Sequence, residues 1–183
     1  MRWTYTQGIP GTPPRDEQQM LHWEGQRGEQ GKLKIMFICT GNTCRSPMAK
    51  ALMERAARDL KVQDKIICDS AGLAAAPGRG ANETAILAAQ ELGMDLTGHC
   101  AKQATPQMLL EMDAVAVMTP DQYAFLKEHL PQMEGKIYLP EKGIPDPSGG
   151  TLEDYRRCLD RLNRWVRKLL LELLEKEKGQ GNV

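Results

Sequence analysis

The chain has 183 residues, enough for one domain with a sizeable core, and its 24 Lys and Arg balance 24 Asp and Glu. That balance excludes a protein that binds nucleic acid or an anionic membrane by charge alone, and no apolar run approaches the roughly 18 residues that span a bilayer. Five cysteines at irregular spacing make no disulfide framework, and the first residues lack the apolar core of a secretory signal, so the chain reads as cytoplasmic and reduced.

Residues 1–32 are polar, rich in Gly, Pro and Gln, and without periodicity. They read as a disordered extension, with a docking tail and a later translation start at Met20 as alternatives. From Leu33 the pattern changes. Residues 33–38 form a short apolar strand, 39–45 a tight loop, and 46–60 a helix with Pro47 in its first turn. A second strand over 66–71 ends at Gly72, and small residues fill the loop 73–80. A helix follows over 82–92, capped by Asn82 and stopped by Gly93, with Ile86, Leu87 and Leu92 on its apolar side. Thr105-Pro106 opens a short helix to Met112, 113–118 is the third strand, and Thr119 caps a helix that Pro131 stops. The fourth strand is 137–139. After a loop over 140–150, Thr151 and Asp154 form a capping box for the last helix. Leu152, Tyr155, Leu159, Leu162, Val166, Leu169 and Leu173 recur at helical spacing and predict one stripe laid on the sheet. The domain therefore covers 33–178, with 179–183 as a flexible tail. Four strands alternating with helices predict an α/β fold, a four-stranded parallel doubly wound sheet flanked by helices. Ligands of such sheets bind beyond the carboxyl ends of strands where the strand order switches.

The first strand ends in Cys39-Thr40-Gly41-Asn42-Thr43-Cys44-Arg45-Ser46-Pro47. A strand-to-helix loop turns its backbone N–H groups and the positive helix end toward one spot, which suits a phosphate. The amides and Arg45 favour the thiolate of Cys39, the nucleophilic form, and the Arg45 fork can hold two phosphoryl oxygens at once. A single cysteine at a strand end is ordinarily core filler. With an arginine six residues later in such a loop it reads as a nucleophile. A lone histidine, His99, reads as a hydrogen-bonded scaffold residue, and Cys68, Cys100 and Cys158 as core filler. Three histidines without ligand spacing and no Cys-x-x-Cys pair predict no metal and no cofactor.

Residues 39–47 resemble the signature of the low-molecular-weight protein tyrosine phosphatase family, and the resemblance runs from about Leu33 to about Lys178. It implies a fold of that family and hydrolysis through a phosphocysteine on Cys39. Thr40, Gly41, Asn42, Thr43, Cys44 and Ser46 would line the phosphate, and Ser46 would also donate to the thiolate. The family's general acid sits in an Asp-Pro pair before the last helix. Asp146, between Pro145 and Pro147, matches it, although its local sequence alone reads as an ordinary turn. By the same resemblance His99 supports the loop through Asn42 and Ser46, and Cys44 is the redox partner that forms a disulfide with Cys39 under oxidation. Thr43 resembles the protein arginine phosphatase branch, where tyrosine-specific relatives carry isoleucine. The alanines of the loop 72–80 offer no ring to stack on phosphotyrosine. Ser148 departs from both branches, which place an aromatic there. The implied function is hydrolysis of phosphoarginine in a phosphorylated protein by a monomer, releasing inorganic phosphate, with no nucleic-acid or membrane partner. The alternatives are a tyrosine phosphatase, an arsenate reductase and an oxyanion-binding docking module. An arsenate reductase needs a closely spaced downstream cysteine pair, and Cys100 and Cys158 are far apart.

Overall fold

The strand β1 (Leu33–Cys39) is apolar at every position but Lys34, and its partners bury it from both sides. A computed structural model describes residues 31–180, the last by its backbone only. The expectations for residues 1–30 and 181–183 lie outside the described residues. β2 (Ile66–Gly72) and β3 (Ala114–Val117) flank β1, β4 (Ile137–Tyr138) pairs with β3, and every pairing is parallel. The order β2-β1-β3-β4 is the expected doubly wound sheet. Chain connections leave β1 toward one side and return to the other, so its carboxyl end, at Cys39, is the switch point.

Among the described residues five α-helices flank the sheet: α1 (Arg45–Asp59), α2 (Glu83–Gln90), α3 (Pro106–Leu110), α4 (Pro120–His129) and α5 (Leu152–Gln180). Strand alternation divides β1 between two layers. Leu33, Ile35, Phe37 and Cys39 join one core with residues of α1, α2 and α5. Met36 and Ile38 are buried on the other face, and α4 lies against β3 and β4.

The capping box forms as the spacing predicts. Thr151 N and Oγ1 donate to Asp154 Oδ2 at 2.8 and 2.7 Å, and Asp154 N donates to Thr151 Oγ1 at 3.3 Å. The stripe from Tyr155 to Leu173 is buried. Its neighbours, however, are chiefly α1 and α2 rather than the sheet, which it meets where Trp165 stands edge-on to Phe37, centroids 6.3 Å apart. α5 also continues two residues past the expected end at Lys178.

α2 corrects a second expectation. It ends at Gln90 and buries Ala85, Ala88 and Ala89, while Leu87 and Leu92 are exposed. Three small side chains let α2 approach α5 closely, and that close contact leaves the leucines facing outward. Cys100 is exposed and not core filler, because the adjacent Ala101 takes the buried place. Cys158 is buried as expected and Cys68 partly so, and burial pushes both thiols up to about 12. Among the described residues no helix is long and apolar enough to cross a membrane.

Candidate active site

The loop from Cys39 to Arg45 is held by contacts from several distant segments. Its centre is Asn42, fully buried, with φ at 54°. Few residues other than Gly take that left-handed conformation, Asn and Asp most readily. The Asn42 side chain fixes the loop in both directions. Its Oδ1 accepts from Lys102 N at 2.8 Å, and since a backbone N–H can only donate, this sets the amide orientation. Nδ2 then donates to Ser46 Oγ at 2.8 Å and to Ser70 Oγ at 3.0 Å. Ser46 Oγ lies 2.9 Å from Cys39 Sγ. The Ser46 hydrogen has two acceptors in reach, Ala71 O at 3.4 Å and the nearer sulfur, and a thiolate at Cys39 is the stronger of the two. Asn42 N also donates to Cys39 Sγ, at 3.3 Å. The sulfur therefore receives two donors, an arrangement that stabilises a thiolate.

His99 contacts this loop through the Asn42 backbone. Its Nε2 lies 2.6 Å from the backbone carbonyl of Asn42 and makes no bond to Ser46. A carbonyl only accepts, so Nε2 carries the proton. Burial lowers the pKa of His99, the Asn42 contact opposes that, and the charges of Lys50 and Lys102 lower it further. Both lysines also face Asp69. Burial alone would raise its carboxyl, but the hydrogen bond and charge of Lys102, with Lys50 and the Ser70 amide, hold it below the ordinary value.

Gly72, opposite Cys39 in the β1–β2 register, allows the loop its close approach. A Cβ there would sit 2.5 Å from Thr40 O and 2.9 Å from Asn42 N. Gly41 has no such constraint. Thr40 Oγ1 accepts from Gln122 Nε2 at 3.3 Å, while Gln122 Oε1 accepts from Met118 N at 2.9 Å. Gln122 thus ties the loop to the end of β3. α1 begins at Arg45, one residue earlier than expected. Its N-terminus has neither a side-chain cap nor an acidic residue in the first turn, so its positive end faces the loop uncompensated.

Arg45 is buried, and its two terminal nitrogens point to the loop before α5. Nη1 donates to Ile144 O at 3.1 Å and Nη2 to Asp146 Oδ2 at 2.5 Å. Arg45, six residues along the loop from Cys39, is therefore joined directly to Asp146. The Asp146 side chain remains 47% exposed, and its Oδ1 accepts from Ser148 N at 3.1 Å. Cys44 is buried with Sγ 3.4 Å from Tyr155 Oη and 3.7 Å from Thr43 Oγ1. Burial pushes the Cys44 thiol up, although its contacts with Tyr155 and Thr43 pull the other way. Burial also raises the Tyr155 phenol. No group of three His, Cys, Asp or Glu among the described residues is placed to hold a metal ion.

Sequence reasoning missed Ser70, Lys102, Gln122 and Tyr155. Ser70 had a signal, a hydroxyl inside an otherwise buried strand segment. Tyr155 was visible only as part of an apolar stripe, and nothing local pairs Lys102 or Gln122 with the loop.

Residues 34–180 match the low molecular weight phosphotyrosine protein phosphatase family. The chain is 37% identical over 139 residues to the low molecular weight protein-tyrosine-phosphatase Wzb of Escherichia coli strain K12, covering 73% of this chain and 90% of that protein. It is 32% identical over 147 residues to a protein-arginine-phosphatase of Geobacillus stearothermophilus, covering 76% and 95%. The crystal structure of a low molecular weight protein tyrosine phosphatase from T. tengcongensis superposes with a TM-score of 0.72 at 30% identity, covering 77% of this chain and 99% of that one.

Proposed function

The chain belongs to the low molecular weight phosphotyrosine protein phosphatase family, and from that premise we propose that it hydrolyses phosphoarginine in proteins, with Cys39, Arg45 and Asp146 as its catalytic residues. Membership makes it a cysteine-dependent protein phosphatase. The observation that carries the finer reading is Thr43. It puts a half-buried hydroxyl in the phosphate loop, at the position where its resemblance to the arginine phosphatase branch lies. A polar rim suits a guanidinium better than a sec-butyl group does. The alanines of the loop 73–80 add no aromatic wall.

In the proposed reaction the Cys39 thiolate attacks phosphorus in line. The loop amides, the positive end of α1 and Arg45 hold the equatorial oxygens. As the P–N bond breaks, Asp146 gives its proton to the leaving guanidine nitrogen. Water then attacks the phosphocysteine and its proton passes to Asp146. The P–S bond breaks, and the electron pair returns to a sulfur that Ser46 and Asn42 N stabilise. Asp146 competes with phosphate for Arg45 Nη2, so substrate binding displaces the carboxylate, which takes up a proton from solvent and so becomes the acid of the first step.

A tyrosine phosphatase is the second reading, favoured by the higher identity to Wzb. Phosphate release from a phosphoarginine protein and a phosphotyrosine peptide, measured in parallel with Cys39→Ser as blank, decides between them. Preference for phosphoarginine that Thr43→Ile shifts toward phosphotyrosine supports the proposal. Preference for phosphotyrosine by the unaltered chain overturns it.

Cys44 is proposed as redox partner. Peroxide converts Cys39 to a sulfenic acid, and the Cys44 thiol displaces water from it to give the disulfide, which added thiols reduce. If Cys44→Ser kept both the peroxide sensitivity and its reversal by thiols, this role would be lost.

A further inference from the structure

Beside the acid loop lies an open hollow of about 220 Å³. It is lined by residues 145–148 and Gly150 of that loop and by Asp154, Arg157, Cys158 and Arg161 of α5. Asp146 borders both this hollow and Arg45, so a chain bound with its phosphoryl group at Cys39 has neighbouring residues within reach of it.

The charges of the hollow are unequally satisfied. Its two carboxylates are engaged, Asp146 by Arg45 and Asp154 by Arg157 and Thr151. The arginines of α5 are likewise paired: Arg156 with Glu91, Arg157 with Asp154, Arg164 with Asp160 and Arg167 with Asp59. Arg161 is the exception, with no carboxylate partner among the described residues. The helix explains why, since the positions three and four residues away hold Arg157, Cys158, Arg164 and Trp165, none of them acidic. The unmatched group of the hollow is thus a guanidinium, beside the loop that carries Asp146, Ser148 and Gly150.

We propose that Arg161, with Arg157 beside it, binds an acidic side chain flanking the phosphorylated residue of the protein substrate. The proposal rests on the phosphatase reading above and adds to it a preference among substrates. A guanidinium fork accepts a carboxylate in two parallel bonds, and the open site screens it by salt.

The test is kcat/KM on matched phosphopeptides carrying the phosphoresidue the enzyme hydrolyses, flanked by Glu, Gln or Lys, with a small aryl phosphate measured alongside. The Glu peptide should exceed the Gln peptide about five-fold, near the upper end for an exposed ion pair, and the margin should shrink as salt rises. Arg161→Gln should level the series, and Arg161→Glu should invert it so that the Lys peptide leads. Turnover of the aryl phosphate with equal rates for Glu and Gln peptides overturns the proposal and leaves the phosphatase reading standing. So does a Glu preference that survives Arg161→Glu. Inhibition by free phosphate that is not competitive and disappears in Arg161→Glu, with no Glu preference, overturns it in favour of a small-anion site. No turnover of any substrate overturns both readings.

Discussion

The two loops that meet at Arg45 are held in opposite ways. The loop from Cys39 to Ser46 is buried and cross-tied: Asn42 alone engages Ser46, Ser70, His99 and Lys102. The loop over 140–150 is pinned at Ile144, which is buried and donates its N–H to Met118 O at 2.7 Å. Past Pro145, Asp146 is half exposed and held to the site by its bond to Arg45. In the proposed mechanism the phosphate-binding half is preorganised, whereas the acid half is tethered by the group that phosphate would take. A preorganised site stabilises the transition state without rearranging, and an exposed acid can serve two proton transfers in one cycle.

The largest effect that would break this division is at the nucleophile. Cys39→Ser should cost at least about 10⁴-fold in kcat while phosphate binding, read by calorimetry, survives. Retained turnover would dismiss Cys39. Next comes the acid. Asp146→Ala should lower kcat by about 10²–10³-fold. It should also tighten competitive inhibition by inorganic phosphate, by up to about five-fold, because Arg45 loses its competitor. Weaker phosphate binding would mean that Asp146 helps hold the anion and is not displaced by it. On the rigid side, Asn42→Ala strands buried partners and strains a positive φ, so denaturant unfolding should show a loss of about 3 kcal/mol. A loss below about 1 kcal/mol would mean the loop is not held through Asn42.

The smallest effect is a pH dependence. The pKa of His99 is lower in the folded chain than its ordinary 6.5, so the unfolded chain binds the extra proton first as pH falls. Stability is therefore full above about 6.5 and declines as pH drops from there toward the folded value. His99→Gln keeps a donor for Asn42 O and should flatten that slope between pH 7 and 5. An unchanged slope would assign it to other groups.

The division also explains what could be read in advance. The positions of strands and helices, the helix caps and the Cys39–Arg45 loop are local patterns, so they were legible. Asp146 was singled out only through the family resemblance, since an Asp between prolines is otherwise a turn. The ties from Ser70 and Lys102 were not legible, because they reach Asn42 across 28 and 60 residues of chain, and His99, 57 residues away, was named only through the resemblance. Leu87 and Leu92 misled because α2 makes its close contact through alanines. Hydrophobicity alone does not register the value of small size at a helix crossing.

The wide spacing of those ties bears on how the molecule acquires its activity. Asn42 can hold its left-handed turn only after β1, β2 and the segment around residues 99–102 have come together, and Arg45 meets Asp146 only when the chain as far as residue 146 is in place. Ordering these contacts closes long loops, which is the slow part of assembly for a parallel sheet. A nascent or partly unfolded chain therefore lacks the phosphate cradle even if its first strand and helix have formed. In denaturant, turnover and the global unfolding signal should fall together, so loss of activity serves as a direct gauge of the folded population.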